Sequence, residues 1–373
     1  MSDEVPAPDQ VPGAPHPRET ACLFGQDAAE QAFLDAYCSG RLHHGWLLTG
    51  PQGVGKATLA WRIARFLLAT PPMTDGGLFG APPPPDTLDI APDHPVSHRI
   101  LAGAEPGLAA ITRSVNDQGR LRSEIVVDDV RKLGRFFGLS AADGGRRVVI
   151  VDSADEMNTS AANALLKMLE EPPARTTLLL VSHQPSHLLP TIRSRCRTLR
   201  LSPLKPEALQ AALDQAGAGM PEEIADLAVL ASGSVGAALR LIELDGLKLY
   251  GELLAILASL PRLDRQRALA LAEAAAGRDA AQRFDLLLKL IEIVLARLAR
   301  TGATGRPPEP EVRQGEAKVL AGLAPDPESG RRWAEIAATI SARARHGQAV
   351  NLDPAALVLD TVFKMQDTAS WSQ

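Results

Sequence analysis

An α/β fold with a mostly parallel sheet and helices on both faces, followed by an all-helical region, is what the sequence predicts. Three observations predict it. Residues 46–60, WLLTGPQGVGKATLA, read as a short apolar strand, a glycine-rich turn and the start of a helix. Residues 147–152 (RVVIVD) and 177–182 (TLLLVS) are near-continuous apolar runs, the pattern of strands buried on both faces. Beyond residue 246 apolar side chains recur at three- and four-residue spacing, which is the helical period.

The chain has 373 residues, enough for two or three domains. It carries 39 Lys+Arg against 44 Asp+Glu, a formal net charge of -5, which argues against a protein that coats DNA in bulk but leaves room for a local basic patch. Cys22, Cys38 and Cys196 lie far apart and form no C-x-x-C pair. That excludes a four-cysteine zinc site and suggests a reduced, cytosolic protein without a disulfide framework. Residues 1–20 are polar and proline-rich with no apolar signal core, and read as a disordered leader. No stretch reaches membrane-spanning length without charges.

In chain order, Phe24, Ala28, Phe33 and Tyr37 have the spacing of a helix with one buried face. His43 and His44 precede the first strand and mark its entry rather than a metal site, since no third ligand is near in sequence. After the glycine turn, Leu59, Ile63, Phe66 and Leu67 give residues 58–68 an apolar helical face. Residues 70–98, rich in proline and glycine, read as an irregular surface insertion. Residues 111–115 fit either a strand or a helix start. Ile125–Val127 looks like a strand, and a helix with Val130, Leu133 and Phe137 on one side follows from Asp128. Gly144-Gly145 reads as a turn. The strand 147–152 leads to a helix over 161–170, capped by Thr159 or Ser160 and stopped by Pro172-Pro173. The strand 177–182 and a last strand over 198–201 complete the α/β domain, residues 21–203. Residues 204–246 form a lid of three short helices, the second starting at Pro221, and Gly233 and Ser234 separate it from the third. Residues 247–373 form a helical oligomerisation domain, with a long amphipathic helix through Phe284, Leu287, Leu288, Ile291, Leu295 and Leu298, and a loop over 301–311.

The chemistry concentrates at two places. Gly50, Gly53, Gly55 and Lys56 fit the phosphate-loop pattern G-x-x-x-x-G-K. Glycines let backbone N–H groups turn in around a phosphate, and the helix that follows presents its positive end. Lys56 adds a point charge for the outer phosphates. The next position should carry a magnesium-binding hydroxyl, but holds Ala57. Thr58 comes one residue later, about 100° around the helix, and does not simply substitute. Asp152, at the end of its strand, can reach magnesium or its water, or can cap the turn. The adjoining position, where a water-polarising carboxylate belongs, is Ser153, which is no general base at neutral pH. Ligands in such sheets bind at the carboxyl ends of the strands, so the loop and Asp152 make one site.

The runs 123–131 (SEIVVDDVR), 148–173 (VVIVDSADEMNTSAANALLKMLEEPP) and 191–196 (TIRSRC), together with the phosphate loop, resemble the clamp loader subunits of bacterial DNA polymerase III, which are AAA+ proteins. The resemblance covers residues 20–245 by motif. It implies a pentameric loader that opens a ring-shaped sliding clamp and places it on primed DNA. In Ser194-Arg195-Cys196 it implies that Arg195 is an arginine finger reaching the ATP of a neighbouring subunit; a surface arginine paired with an acid or a DNA phosphate is the plainer reading. Ala57, Ser153 and Gly236, the last standing where motor subunits carry an ATP-contacting arginine, depart from the motor pattern, and the zinc-binding cysteines are absent. The chain therefore resembles the delta-prime type, a non-hydrolysing stator. Gly50, Gly53, Gly55, Lys56, Ala57, Thr58 and Asp152 would line any ATP or ADP, with magnesium if nucleotide binds and without zinc. The implied partners are the gamma/tau motor and delta subunits and, through the complex, the clamp and primer-template DNA, in a cytoplasmic, nucleoid-associated replisome. A gamma/tau-type motor is the first alternative and a stand-alone AAA+ DNA-remodelling ATPase the second. A metabolic P-loop kinase has no use for the helical end.

Overall fold

The computed structural model describes residues 7–11, 13–20, 22–70, 83–139, 145–218, 223–276, 280–350 and 352–370. They form two compact units, one of residues 1–219 with 233–236 and one of 220–232 with 237–373.

The first unit is built on five parallel strands in the order β2-β3-β4-β1-β5: β1 (Gly45–Thr49), β2 (Leu108–Ile111), β3 (Arg147–Val151), β4 (Thr176–Ser182) and β5 (Arg197–Arg200). The register sets Thr49 beside Ser182 and Arg200, and Val151 beside Leu180. All carboxyl ends therefore fall on one side. Alternation sorts the side chains by face. Leu47, Val149, Val151, Leu178 and Leu180 share a core with α4 (Val127–Leu139), α5 (Thr159–Glu170) and α6 (Pro190–Ser194). The opposite face takes α1 (Asp27–Cys38), whose Phe33 ring lies 5.0 Å from Trp46, and α2 (Lys56–Ala69), which packs on β1, β3 and β4. Two faces covered by helices explain why β1, β3 and β4 are apolar with almost no interruption. The short α3 (Pro95–Leu101) and α7 (Pro206–Gln215) also belong to this unit.

The second unit is helical: α8 (Ile224–Ala231), most of α9 (Val235–Glu243), α10 (Gly246–Ser259), α11 (Arg265–Ala276), α12 (Ala280–Thr304), α13 (Glu316–Leu323), α14 (Pro327–Ala349) and α15 (Pro354–Ser370). The long α12 packs chiefly on α14, and α11 on α15. Of the expected stripe, Phe284, Leu287, Ile291, Leu295 and Leu298 are buried and Leu288 is half-buried.

Several local expectations are corrected. Residues 125–127 are no strand. Ile125 makes a single bridge to Met157 and Val127 already belongs to α4, because the Asp129 carboxylate accepts from Val126 N and the Ser114 hydroxyl and starts the helix there. The cap of α5 is Asn158, whose Oδ1 accepts from Ala161 N, not Thr159 or Ser160. The edge strand β2 ends at Ile111, so of the 111–115 segment only Ile111 is in a strand, and Val115 makes an isolated bridge to Leu121. In the 70–98 insertion, 71–82 lies outside the described residues, 83–94 has no regular element, and α3 begins at Pro95 behind His94, whose ring accepts from Val96 N. The insertion is tied down: Leu88 is buried and Asp89 pairs with Arg62 at 2.8 Å. The α12 helix runs to Thr304, so the loop expected from 301 starts later. The expected turn at Gly144 and helix start at Pro221 lie outside the described residues.

The N-terminal leader differs most from expectation. Of residues 1–20, those at 1–6 and 12 are outside the described set, but the remainder is packed rather than loose. His16 is buried, its Nε2 lies 3.1 Å from Asp9 Oδ2, and its ring stands edge-on to Trp61.

Candidate nucleotide site and arginine end

The site grows from the carboxyl end of β1. Gly53 and Gly55 take φ of +78° and +98°, a left-handed backbone that side-chain residues rarely adopt. Both are also crowded: a Cβ on Gly55 would stand 2.5 Å from Leu23 Cδ1, and one on Gly53 would lie 2.3 Å from Ser234 Oγ. The turn 233–236 is fastened to the loop by Val235 N, which donates to Gly53 O at 2.9 Å. Gln26, buried just before α1, ties loop to sheet. Its Nε2 donates to Val54 O (3.1 Å) and Ser202 O (2.7 Å), and its Oε1 accepts from Ser202 N. Sequence reasoning missed Gln26. Its only local signal is a buried amide following Gly25 at a helix entry.

Among the described residues, none of the N–H groups of 53–57 donates to a protein acceptor. These are the donors a phosphate would take, so the loop fits the group that its pattern implies. Lys56, 3% exposed, turns its ammonium back onto the carbonyl oxygens of Gly50 (2.7 Å) and Pro51. Burial pulls its pKa down to about 8, against the opposing pull of Asp152 and Asp155. Ala57 offers no oxygen for magnesium, and Thr58 is half-buried on the next position of the helix.

Asp152 follows β3 and is 8% exposed. Burial, then the negative charge of Asp9, push its carboxyl up to about 7, while the Ser153 hydrogen bond and Lys56 oppose the rise. Ser153 Oγ donates to Asp152 Oδ1 at 3.1 Å and lies 2.9 Å from His183 Nε2. With its proton committed to Asp152, Ser153 accepts from a protonated Nε2. Burial and the nearby Lys56 charge push the imidazole down to about 4, so it is neutral at physiological pH. Its Nδ1 and the Ser182 hydroxyl are buried without a hydrogen-bond partner among the described residues. The other acids are engaged elsewhere. Asp155 accepts from His183 N (3.0 Å) and Gln184 N (3.1 Å), and Glu156 pairs with Arg113 at 2.9 Å. The structure thus brings Gly50, Gly53, Gly55, Lys56 and Asp152 together, and puts no free carboxylate in the place next to Asp152.

Arg195 lies elsewhere, between α6 and β5. A Cβ on Gly45, the first residue of β1, would stand 3.1 Å from Arg195 O. Arg195 is therefore at the amino end of the strand whose carboxyl end feeds the phosphate loop. Its side chain is 38% exposed. Nη2 lies 2.9 Å from Glu170 Oε1 and Nη1 donates to Thr191 O at 3.2 Å. Arg193 is exposed, and Arg197 stacks over Trp46 at 5.2 Å. Among the described residues no three His, Cys, Asp or Glu side chains converge as metal ligands, and no single helix is long and apolar enough to cross a membrane.

A parallel sheet in this order, a glycine-lysine loop after β1, an acid after β3 and a helical region following in the chain define an AAA+ type of P-loop fold with a helical collar. The family model described as "DNA polymerase III, delta subunit" matches residues 25–205. The DNA polymerase III subunit delta' of Pseudomonas aeruginosa is 38% identical over 202 residues, 53% of this chain and 55% of that protein. The Escherichia coli subunit delta' is 30% identical over 223 residues, 58% of this chain and 59% of that protein. The Mycobacterium tuberculosis subunit gamma/tau is 28% identical over 226 residues, 58% of this chain and 35% of that protein. The chain thus spans little more than half the length of the two delta' relatives. Over residues 25–205 it matches the DNA polymerase III clamp-loader family, in its delta' and gamma/tau subunits.

Proposed function

We propose that this chain is the stator of a clamp loader: a subunit of the delta-prime type that does not hydrolyse ATP and lends Arg195 to the ATP site of a neighbouring subunit. Its partners in this reading are gamma/tau motor and delta subunits and, through the complex, a sliding clamp and primer-template DNA in the cytoplasm.

The separation along β1 carries the reading. Arg195 and the phosphate loop flank opposite ends of a five-residue strand, roughly 15 Å apart at about 3.3 Å per residue. An arginine side chain cannot cover that distance through the sheet. A role for Arg195 in phosphoryl transfer must therefore be played on another chain's nucleotide, where a guanidinium keeps its charge when desolvated. The state of the chain's own site supports the other half. Ser153 is tied to Asp152 and His183, Asp155 caps two backbone N–H groups, and position 57 lacks a hydroxyl, so neither water nor magnesium meets its usual partner. In the free chain Glu170 holds the Arg195 guanidinium. An exposed pair of this kind is worth at most about 1 kcal/mol, and a triphosphate outcompetes it readily.

Reconstitution with motor and delta subunits tests the reading. The Arg195→Ala chain should assemble normally and lower DNA- and clamp-stimulated ATP turnover by about tenfold or more, a modest share of what a finger contributes at one site. Unchanged turnover of the assembled complex would remove the finger. Turnover by the purified chain alone, abolished by Lys56→Ala, would favour the motor reading instead.

A further inference from the structure

Residues 13–20 lie against α2, and Val11 lies against the 233–236 turn that borders the phosphate loop. Two contacts anchor them to α2, the helix that the loop feeds: the His16 ring meets Trp61 edge-on at 5.7 Å, and Arg65 Nη2 donates to Arg18 O at 2.7 Å. From that anchor the chain reaches back over the cradle. Val11 rests on Gly236. A Cβ there would lie 3.2 Å from Val11 Cγ2 and 3.6 Å from Gly53 Cα, so Val11 and the loop glycine press on the same point of the 233–236 turn. Asp9 is held beneath by His16, with its side chain only 8% exposed. Its charge is the strongest influence on Asp152 after burial itself. Two carboxylates facing each other in a low-dielectric site repel. The segment tolerates this because His16 pairs with one of them and Ser153 donates to the other.

We propose that the N-terminal segment is an autoinhibitory strap that closes the phosphate cradle, so that a nucleoside di- or triphosphate enters only when Asp9 and Val11 are displaced. The cradle itself is competent. Its N–H groups at 53–57 donate to no protein acceptor among the described residues, and Lys56 turns onto loop carbonyls that a phosphate would replace. The strap sets the energy of access. A polyphosphate brings several negative charges to a site that already holds Asp9 and Asp152, and the two cannot share it with the strap in place. Apparent affinity then falls by the fraction of molecules with the strap open, tenfold for an open fraction of about one in ten. The proposal makes no use of Arg195 and stands or falls apart from the stator reading.

Calorimetric titration of the full chain with magnesium-ATP, and separately with ADP, tests it. The double variant Asp9→Asn/Val11→Gly removes the repelling charge and the covering side chain. His16→Ala releases the anchor from outside the cradle. Both should bind at least about tenfold tighter than the unmodified chain, and adding Lys56→Ala should abolish the gain. Thermal unfolding of each variant verifies the fold; where His16→Ala unfolds, the double variant decides. Binding within twofold across all chains, no binding by any of them, or a gain that survives Lys56→Ala would each overturn the strap.

Discussion

Two buried polar clusters, one in each unit, make an instructive pair. In the helical unit Glu316 has no exposed side-chain surface, yet every acceptor position is used. Arg297 Nε donates to Oε1 at 2.7 Å and Nη2 to Oε2 at 3.1 Å, Tyr250 Oη donates to Oε1 at 2.6 Å, and Val312 N donates to Oε2. In the α/β unit Lys56, Asp152 and Ser153 are buried beside a half-buried His183, but the site is left incomplete. Its lysine is pulled down, its carboxyl pushed up, and Ser182 Oγ and His183 Nδ1 have no partner among the described residues. A closed network fixes a fold. An open one, with groups poised near neutrality, marks a place built around something else. Burial alone would not have told the two apart.

Five variants break or sharpen that contrast. Arg297→Met strands a buried carboxylate and should cost about 3–5 kcal/mol, a fall in Tm of roughly 10 °C. Replacing Glu316, Arg297 and Tyr250 together by apolar residues should recover most of it. Asp152→Asn should act in the opposite direction, raising Tm by about 5 °C at pH 8. The folded carboxyl holds its proton up to about 7, whereas the unfolded one releases it near 3.9. The folded state thus binds the extra proton between these values, and stability falls as pH rises through that window. The gain from Asn should shrink as pH is lowered and be gone by about pH 4, which melting curves across pH would show. Lys56→Ala should change the stimulated turnover of a reconstituted loader by less than about twofold, since this cradle is proposed to do no hydrolysis; a tenfold loss would identify a motor. The smallest effect belongs to Glu170→Gln. The exposed pair should cost under about 1 kcal/mol in thermal unfolding, with loader turnover not below that of the unmodified chain.

Much of the α/β architecture is legible in the chain because its central strands are covered on both sides. The runs at 147–151 and 176–182 could hardly be anything else. The edge strand Leu108–Ile111 is not, because it has one neighbour, four residues and two alanines, too little apolar pattern to stand out. The misread 125–127 run shows the limit of counting apolar neighbours. What starts the helix is the Asp129 carboxylate, held by Ser114 from outside the segment. The loop glycines, Lys56 and Asp152 were readable because phosphate chemistry dictates residue types at fixed spacing. Gln26 and the Asp9–His16 pair were not. Their roles depend on Val54, Ser202 and Trp61, which are distant in sequence, and a polar proline-rich stretch looks the same whether or not it has a surface to lie on.

The length of β1 has one more consequence. Because Arg195 and the cradle touch different ends of the same strand and share no side chain, selection can act on each without disturbing the other. Erosion at positions 57 and 153 would leave the guanidinium where it was. A protein laid out in this way can give up its own catalysis in small, individually harmless changes and still serve whichever molecule docks at its far edge.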